Sequence, residues 1–242
     1  MSGEAAATAD RSARWLALTP LVPLVALVPG GRWLAPLVAP LPLWPAFSAA
    51  VRVDRRGRAF AFGLLWALLL SVSTIALTQA APRAAGRGIW NAEPYRLEMF
   101  RWIETGIGKE VEPARFLPEH ALHLGAFALL SLASGGYLGL VLGAALLAYM
   151  NYFVGAFALS SGLPCLGALA AWVPWALVRV VAFVALGSIL ARPLLVGRSR
   201  ALDSADRRWL AWAFAGVLAD AALKTLLAPA YGLWLRRLLG DG

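Results

Sequence analysis

The chain contains very little cysteine, histidine and charge for its length. Cys165 is its one cysteine, and there are 2 histidines among 242 residues. A lone cysteine excludes an intrachain disulfide and a cysteine-based metal cluster. Charged residues make up only 14% of the chain and hydrophobic residues 60%, whereas soluble domains are about 25% charged. Several apolar runs exceed the roughly 20 residues that a spanning helix needs, so the composition predicts a polytopic membrane protein.

Several sequence motifs are also missing. There is no Walker A pattern and no Rossmann fingerprint, so we expect no cofactor, and any nucleotide would be used by a separate subunit. The net charge of +9 does not indicate nucleic-acid binding, because the basic residues lie mostly beside the apolar runs, as the positive-inside rule expects. Tryptophans lie at the ends of several runs, where interfacial aromatic residues belong: Trp90, Trp102, Trp209 and Trp234.

The first apolar region, residues 15–51, follows a polar tail at 1–14 and is interrupted by prolines. Prolines in such number exclude one straight helix. We expect two short helices joined at Gly30–Arg32 to form a hairpin; a single kinked span is the alternative. Because no small-residue cleavage site follows the tail, the region is predicted to be a retained anchor. The prolines are Pro20, Pro23, Pro29, Pro36, Pro40, Pro42 and Pro45.

The rest of the sequence predicts an all-α transmembrane bundle of about six spans, with five to seven allowed. The N-terminal part, 15–81, ends in a clean span at 59–81. An extramembrane loop at 82–117 begins as irregular chain over Pro82–Gly88 and then contains a short amphipathic helix at Glu93–Ile103. A C-terminal membrane domain follows at 118–242. Its predicted helices cover residues 119–134, 137–160, 168–190 and 209–235, with a tight turn at 163–167.

Two basic segments, 52–58 and 192–208, are expected on the cytoplasmic side. Four spans lie between them, which agrees with this placement, and the loop at 82–117 then lies outside. Strict alternation would put Arg236 and Arg237 outside, against the rule. Either the last segment does not cross completely, or one segment is miscounted.

Glycines are expected to permit close helix packing around the break between the two central helices. Gly135 and Gly136 mark that break. Gly139 and Gly143 form a small-xxx-small pattern, which lets two helix backbones approach each other.

Three charges lie within predicted spans: Arg179, Asp220 and Lys224. A charge near the bilayer centre costs several kcal/mol unless it has a partner or water. Asp220 and Lys224 stand four residues apart, so they share a helix face and can pair. We expect a buried cluster that fixes helix register; a polar path for an ion or substrate, or a contact at an interface, are the alternatives.

Other polar residues are candidate contacts. Glu119, His120 and His123 begin a predicted helix, where polar groups at a membrane interface are the simplest interpretation. A metal site would need a third ligand, and the H-E-x-x-H pattern is absent. Asn151 is expected to bond to a neighbouring helix. Ser134 and the pair at 160–161 raise the alternative of an intramembrane hydrolase, although no G-x-S-x-G motif occurs.

Three passages resemble the stage II sporulation protein M family of bacterial membrane proteins. They are Glu112–Leu117 followed by His120, Tyr149–Gly155, and Asp220–Pro229. The resemblance extends over about half of the chain, from the first of these passages to the last. Tyr152 stands where the family has glycine, and Arg179 stands where it has an acidic residue.

The resemblance implies a non-catalytic integral membrane scaffold that recruits envelope or cell-wall enzymes, located in the bacterial cytoplasmic membrane. Its expected partners are the lipid bilayer and other membrane or envelope proteins, including a second copy of the chain or a separate ATPase. The first alternative is a transmembrane subunit of an ABC-2-like export system. The second is an intramembrane hydrolase.

Overall fold

A computed structural model describes residues 11–197 and 202–240, and the described chain contains only helices. A 3-10 helix at Ala13–Leu27 comes first. The α-helices that follow are α1 (Gly31–Val38), α2 (Trp44–Arg52), α3 (Arg56–Ala80), α4 (Pro82–Gly88), α5 (Ala92–Thr105), α6 (Pro113–Ser134), α7 (Tyr137–Ser160), α8 (Pro164–Ala171), α9 (Pro174–Leu190), α10 (Arg192–Val196) and α11 (Ser204–Leu238).

Five helical segments are long and apolar enough to cross a membrane, which confirms the predicted multi-pass helical bundle. They are α3, α6, α7, α11 and the stretch Pro174–Val196 that combines α9 and α10. The number lies within the predicted range of five to seven.

The N-terminal hairpin breaks where the sequence predicted, at Gly30, whose φ of 76° is left-handed. Its first limb is a 3-10 helix of 15 residues; at about 2.0 Å rise per residue it extends about 30 Å, the thickness of the hydrocarbon core. Leu16 packs in one cluster with Val51, and Ala26 packs in another with Ala85. The limb therefore runs from one end of the bundle to the other. The second limb is divided between α1 and α2.

The two predicted cytoplasmic segments meet at one end of the bundle, which we call the basic end. Arg56 pairs with Asp206, with 2.7 Å between Nε and Oδ1, and also with Asp203. Arg192 pairs with the same Asp206 at 3.1 Å. These contacts join the start of α3, the start of α10 and the capped start of α11. Parts of two predicted segments, 1–10 and 198–201, lie outside the described residues.

The last helix reaches the opposite end of the bundle, which we call the α5 end. Arg236 Nε donates to the backbone oxygen of Ile103 in α5 at 3.1 Å. The last segment therefore extends along the whole bundle, and Arg236 and Arg237 lie at the end opposite the basic end, as strict alternation predicted.

Four predicted boundaries were wrong. The predicted tight turn at 163–167 is largely helical, because α8 begins at Pro164. Residues 82–88 form α4 and not irregular chain. Helix α6 begins at Pro113, inside the predicted loop. The predicted helix at 168–190 is interrupted, because Pro174 disfavours a helical conformation at the preceding residue; Val173 is extended, with φ −60° and ψ 134°.

Helix α5 covers the end of the bundle with its apolar face. Met99, Trp102 and Ile103 are buried there, and the Trp102 ring lies edge-on to Trp175 of α9 at 6.2 Å between centroids. Glu93 of α5 also accepts a hydrogen bond from the Tyr152 hydroxyl of α7. The predicted amphipathic helix is therefore fixed to the protein along its buried face.

Candidate functional site

An ion pair between α9 and α11 lies at the centre of the candidate site. Arg179 Nε and Nη2 donate to Asp220 Oδ2 and Oδ1 at 2.8 and 2.9 Å, and Asp220 is completely buried. Two parallel bonds fix the relative orientation of both side chains. The pair therefore fixes the register between these two helices.

A second ion pair joins α11 to the loop that connects α5 and α6. Lys224 Nζ lies 2.8 Å from Glu110 Oε1, and the Trp175 indole N–H donates to Glu110 Oε2 at 3.3 Å. The Lys224 ammonium also lies 4.6 Å from the centre of the Phe116 ring. Glu110 and Lys224 are both buried, so the loop places its carboxylate inside the bundle.

The predicted pairing of Asp220 with Lys224 was wrong. Both residues do lie on α11, one turn apart, but each faces a different neighbour. Asp220 faces Arg179, whereas Lys224 faces Glu110. The interior therefore holds two ion pairs, and four charged residues compensate one another.

Glu110 escaped the sequence analysis because it lies in the longest hydrophilic stretch, where an acidic residue carries no periodic signal. A lysine buried in the last span nevertheless requires a carboxylate partner. That requirement was the one available signal, and it did not distinguish Glu110 from its acidic neighbours. Trp175, which donates to the Glu110 carboxylate, was missed because nothing distinguishes it in sequence from the other aromatic residues of the apolar runs.

His120 lies next to the first ion pair. Its Nδ1 is 2.8 Å from the backbone oxygen of Phe116, and its Nε2 is 3.4 Å from Asp220 Oδ2. Since a carbonyl oxygen can only accept, Nδ1 carries the hydrogen, and Nε2 of the neutral ring is an acceptor. That buried Nε2 has no hydrogen-bond partner among the described residues.

Glu119 and His123 flank His120 along α6. Lys109 Nζ is 3.1 Å from Glu119 of α6 and 3.6 Å from Glu98 of α5, so it links these two helices. The hydrogen bond to Glu119 holds the pKa of the Lys109 ammonium above its ordinary value. His123 follows Glu119 by one helical turn on α6, so the two side chains share one face of the helix.

These side chains surround one end of a cavity of about 260 Å³. Arg179, Lys224, His120 and His123 line its polar end. The other end, toward the basic end of the bundle, is lined by apolar side chains, among which are Phe47, Trp66, Leu140, Leu147 and Val184. The cavity is therefore polar at one end and apolar at the other, which matches the two parts of an amphiphilic molecule.

Asn151 lies apart from this site and connects α7 to α3 and to the segment between α8 and α9. Its Nδ2 donates to Ser71 Oγ at 2.9 Å and to the Leu147 carbonyl at 2.8 Å, and its Oδ1 accepts from the Trp172 indole at 2.8 Å. The side chain is completely buried. All of these contacts are within the protein, so Asn151 links helices.

The four glycines selected from the sequence differ in their surroundings. Gly135 and Gly136 form the turn with φ of 65° and 100°. A Cβ at Gly139 would lie 2.0 Å from Ser131 Oγ, whereas one at Gly143 would meet Phe127 at 3.8 Å, an ordinary contact. Gly139 thus marks the close approach of α6 and α7, and Gly143 lines the cavity.

The residues needed for hydrolysis or metal binding do not converge. Ser134 donates to the Leu130 carbonyl, about 16 Å along α6 from His123 at 1.5 Å per residue. Ser161 donates to the Ala158 carbonyl. Within the described residues, no group of three or more His, Cys, Asp or Glu side chains is placed to hold a metal ion.

Comparisons of the chain with family models, curated proteins and solved structures find no match. The resemblance to the stage II sporulation protein M family therefore stays a prediction.

Proposed function

We propose that this protein is a non-catalytic scaffold of the bacterial cytoplasmic membrane that recruits envelope or cell-wall enzymes. The observation that supports the proposal is that the interior charges pair with one another, as Arg179–Asp220 and Lys224–Glu110. These pairs join α9, α11 and the loop after α5. A frame fixed in this way presents an outer surface of constant shape.

The candidate docking surface is the exposed face of α5 and the residues after it, consisting of Leu97, Arg101, Glu104 and Ile107. All four are exposed, and Leu97 and Ile107 are more than half exposed. A surface with two large apolar residues next to charged ones is typical of a protein contact. We call it the α5 surface. In the proposed topology it faces the cell wall.

Photo-crosslinking in living cells tests this proposal. A photoreactive amino acid at Leu97 or Ile107 should capture an envelope or cell-wall enzyme, identified by mass spectrometry. The same amino acid at Leu218, which is 71% exposed on α11, is the control and should capture lipid.

The charge of the α5 surface provides the second arm of this test. Arg101→Glu should weaken capture from Ile107, while the amount of folded protein in the membrane stays the same. The proposal is wrong if Leu97 and Ile107 capture only lipid, or if Arg101→Glu leaves the captured protein unchanged.

The second candidate is a membrane subunit of an ABC-2-like export system, and the internal cavity favours it. Such a subunit would bind a separate ATPase at the basic end. A photoreactive amino acid at the exposed Arg207 distinguishes the two. Capture of an ATPase there supports export, and capture of a wall enzyme at the α5 surface supports the scaffold.

A further inference from the structure

The internal cavity is arranged along three neighbouring helices, each polar at one end and apolar at the other. On α9 the lining runs from Arg179 to Gly187, and on α6 from His120 to Phe127. At 1.5 Å per residue these stretches extend about 10–12 Å. The wall that these helices form therefore has a polar part and an apolar part. Its length is about that of a medium aliphatic chain.

The cations of the polar end are all paired. Each cation of the wall has a carboxylate partner: Asp220 for Arg179, Glu110 for Lys224, and Glu119 with Glu98 for Lys109. An anionic headgroup would have to displace one of these carboxylates and leave it buried, at high cost. The wall therefore does not favour a phosphate or a fatty acid.

Among the buried side-chain atoms described in this wall, Nε2 of His120 has no hydrogen-bond partner, and it is an acceptor. Asp220 Oδ2, which lies 3.4 Å from it, is also an acceptor. Two acceptors that face each other are satisfied by a group that donates a hydrogen. A hydroxyl donates a hydrogen without adding a charge to a wall whose cations are already paired.

Glycines provide the room for the chain of such a ligand. Gly143 of α7 and Gly187 of α9 line the cavity on either side of Phe127. A Cβ would lie 3.8 Å and 3.2 Å from the Phe127 ring, respectively. Larger residues at these two positions would occupy the apolar part of the cavity.

We infer that this cavity is a binding site for a neutral single-chain amphiphile whose hydroxyl head donates to His120 and whose chain lies against Leu140, Leu147 and Val184. The volume of about 260 Å³ is close to the lower limit of small-molecule pockets, roughly 300 Å³. It therefore fits one aliphatic chain, and a two-chain lipid would be too large. The site is independent of the α5 surface.

Photo-labelling of the purified protein in lipid nanodiscs tests the inference. The probe is undecanol with a diazirine at the end of its chain, and mass spectrometry locates the adducts. We expect adducts on the wall residues near Gly143 and Gly187. Free undecanol should compete at least about tenfold more strongly than its methyl ether, which has the same chain but cannot donate to the buried acceptor.

Two variants and one control locate the site. Gly143→Leu should remove the labelling of the wall, because its side chain fills the apolar part of the cavity. Gly125→Leu is the matched control on α6, where a Cβ would meet nothing within 4 Å, and labelling should persist. His120→Phe should make the alcohol and the ether equal competitors.

Three results would overturn the inference. They are adducts confined to lipid-facing positions such as Leu129 or Leu226, equal competition by alcohol and ether in the unchanged protein, and stronger competition by undecanoate than by undecanol. Should His120→Phe fail to fold, the Gly143→Leu and competition results decide alone.

Discussion

At the residue scale, the charges predicted from the sequence are those that break long apolar runs. Arg179, Asp220 and Lys224 were identified in this way, and the structure places all three beside one cavity. Which of them pair was not predictable from spacing alone. Asp220 and Lys224 share a helix face, but their partners come from other elements, Arg179 in α9 and Glu110 in a loop.

Removing Asp220 should destabilise the protein strongly, because Arg179, which is only partly exposed, would be left without its carboxylate partner. Asp220→Ala is expected to cost about 3–5 kcal/mol and to lower the melting temperature in detergent. Glu112→Ala is the control, since Glu112 and Arg115 form an exposed pair at 3.4 Å, typically worth under ~1 kcal/mol. Equal melting temperatures for Asp220→Ala and the unchanged protein would contradict the structural role of this pair.

The Lys109 bridge should depend on pH in one direction. The pKa of the Lys109 ammonium is raised above 10.5 in the folded protein. The contribution of the bridge to stability is therefore complete below that pH and is lost as pH rises through the folded pKa. The melting temperature of the unchanged protein should therefore exceed that of Lys109→Met by a small, constant amount at neutral pH. Above pH 10.5 the difference should shrink; a difference that grows there would contradict the bridge.

At the scale of elements, long helices were predictable and short ones were not. The apolar runs located α3 and α7 to within three residues, and α6 and α11 to within six. Helix α4 escaped prediction because its few residues include glycines and arginines, which are typical of loops. The 3-10 conformation of Ala13–Leu27 also carries no sequence period that distinguishes it from a kinked α-helix.

The two glycines of the small-xxx-small pattern should respond differently to the same substitution. Gly139→Ala places a methyl group 2.0 Å from Ser131 Oγ, and overpacking of this kind typically costs about 1–3 kcal/mol. Gly143→Ala, which meets only an ordinary contact at 3.8 Å, should change the melting temperature little.

A double variant tests whether the contact with Ser131 causes the loss of stability in Gly139→Ala. Ser131→Ala removes the clashing oxygen, so the pair of substitutions should recover part of the stability that Gly139→Ala loses. If Gly139→Ala and Gly143→Ala have the same melting temperature, the close approach of α6 and α7 does not depend on Gly139.

At the scale of the whole molecule, the basic segments were correctly placed together, since Arg56 and Arg192 both contact Asp206. The order of spans and the charge rule were sufficient for this. The sequence could not show that α5 packs on the bundle, because contacts such as Trp102–Trp175 join residues far apart in the chain. It also could not show the cavity, which seven different helices and two connecting segments surround.

The topology is tested by cysteine labelling in intact cells, after Cys165→Ser removes the exposed native cysteine. Glu104→Cys lies at the α5 end and should react with a membrane-impermeant maleimide added from outside. Arg207→Cys lies at the basic end and should react only after the membrane is permeabilised. Reaction of both cysteines in intact cells would exclude the proposed orientation.

The central claim is that buried ion pairs between separate elements hold this membrane bundle together, and a double-mutant cycle on Glu110 and Lys224 tests it most directly. Glu110→Gln and Lys224→Met each leave one buried group without its partner, so each should lower the free energy of unfolding in detergent by about 3–5 kcal/mol. The double variant should be clearly more stable than the sum of the two losses predicts. Losses that simply add, or single variants as stable as the unchanged protein, would contradict the claim.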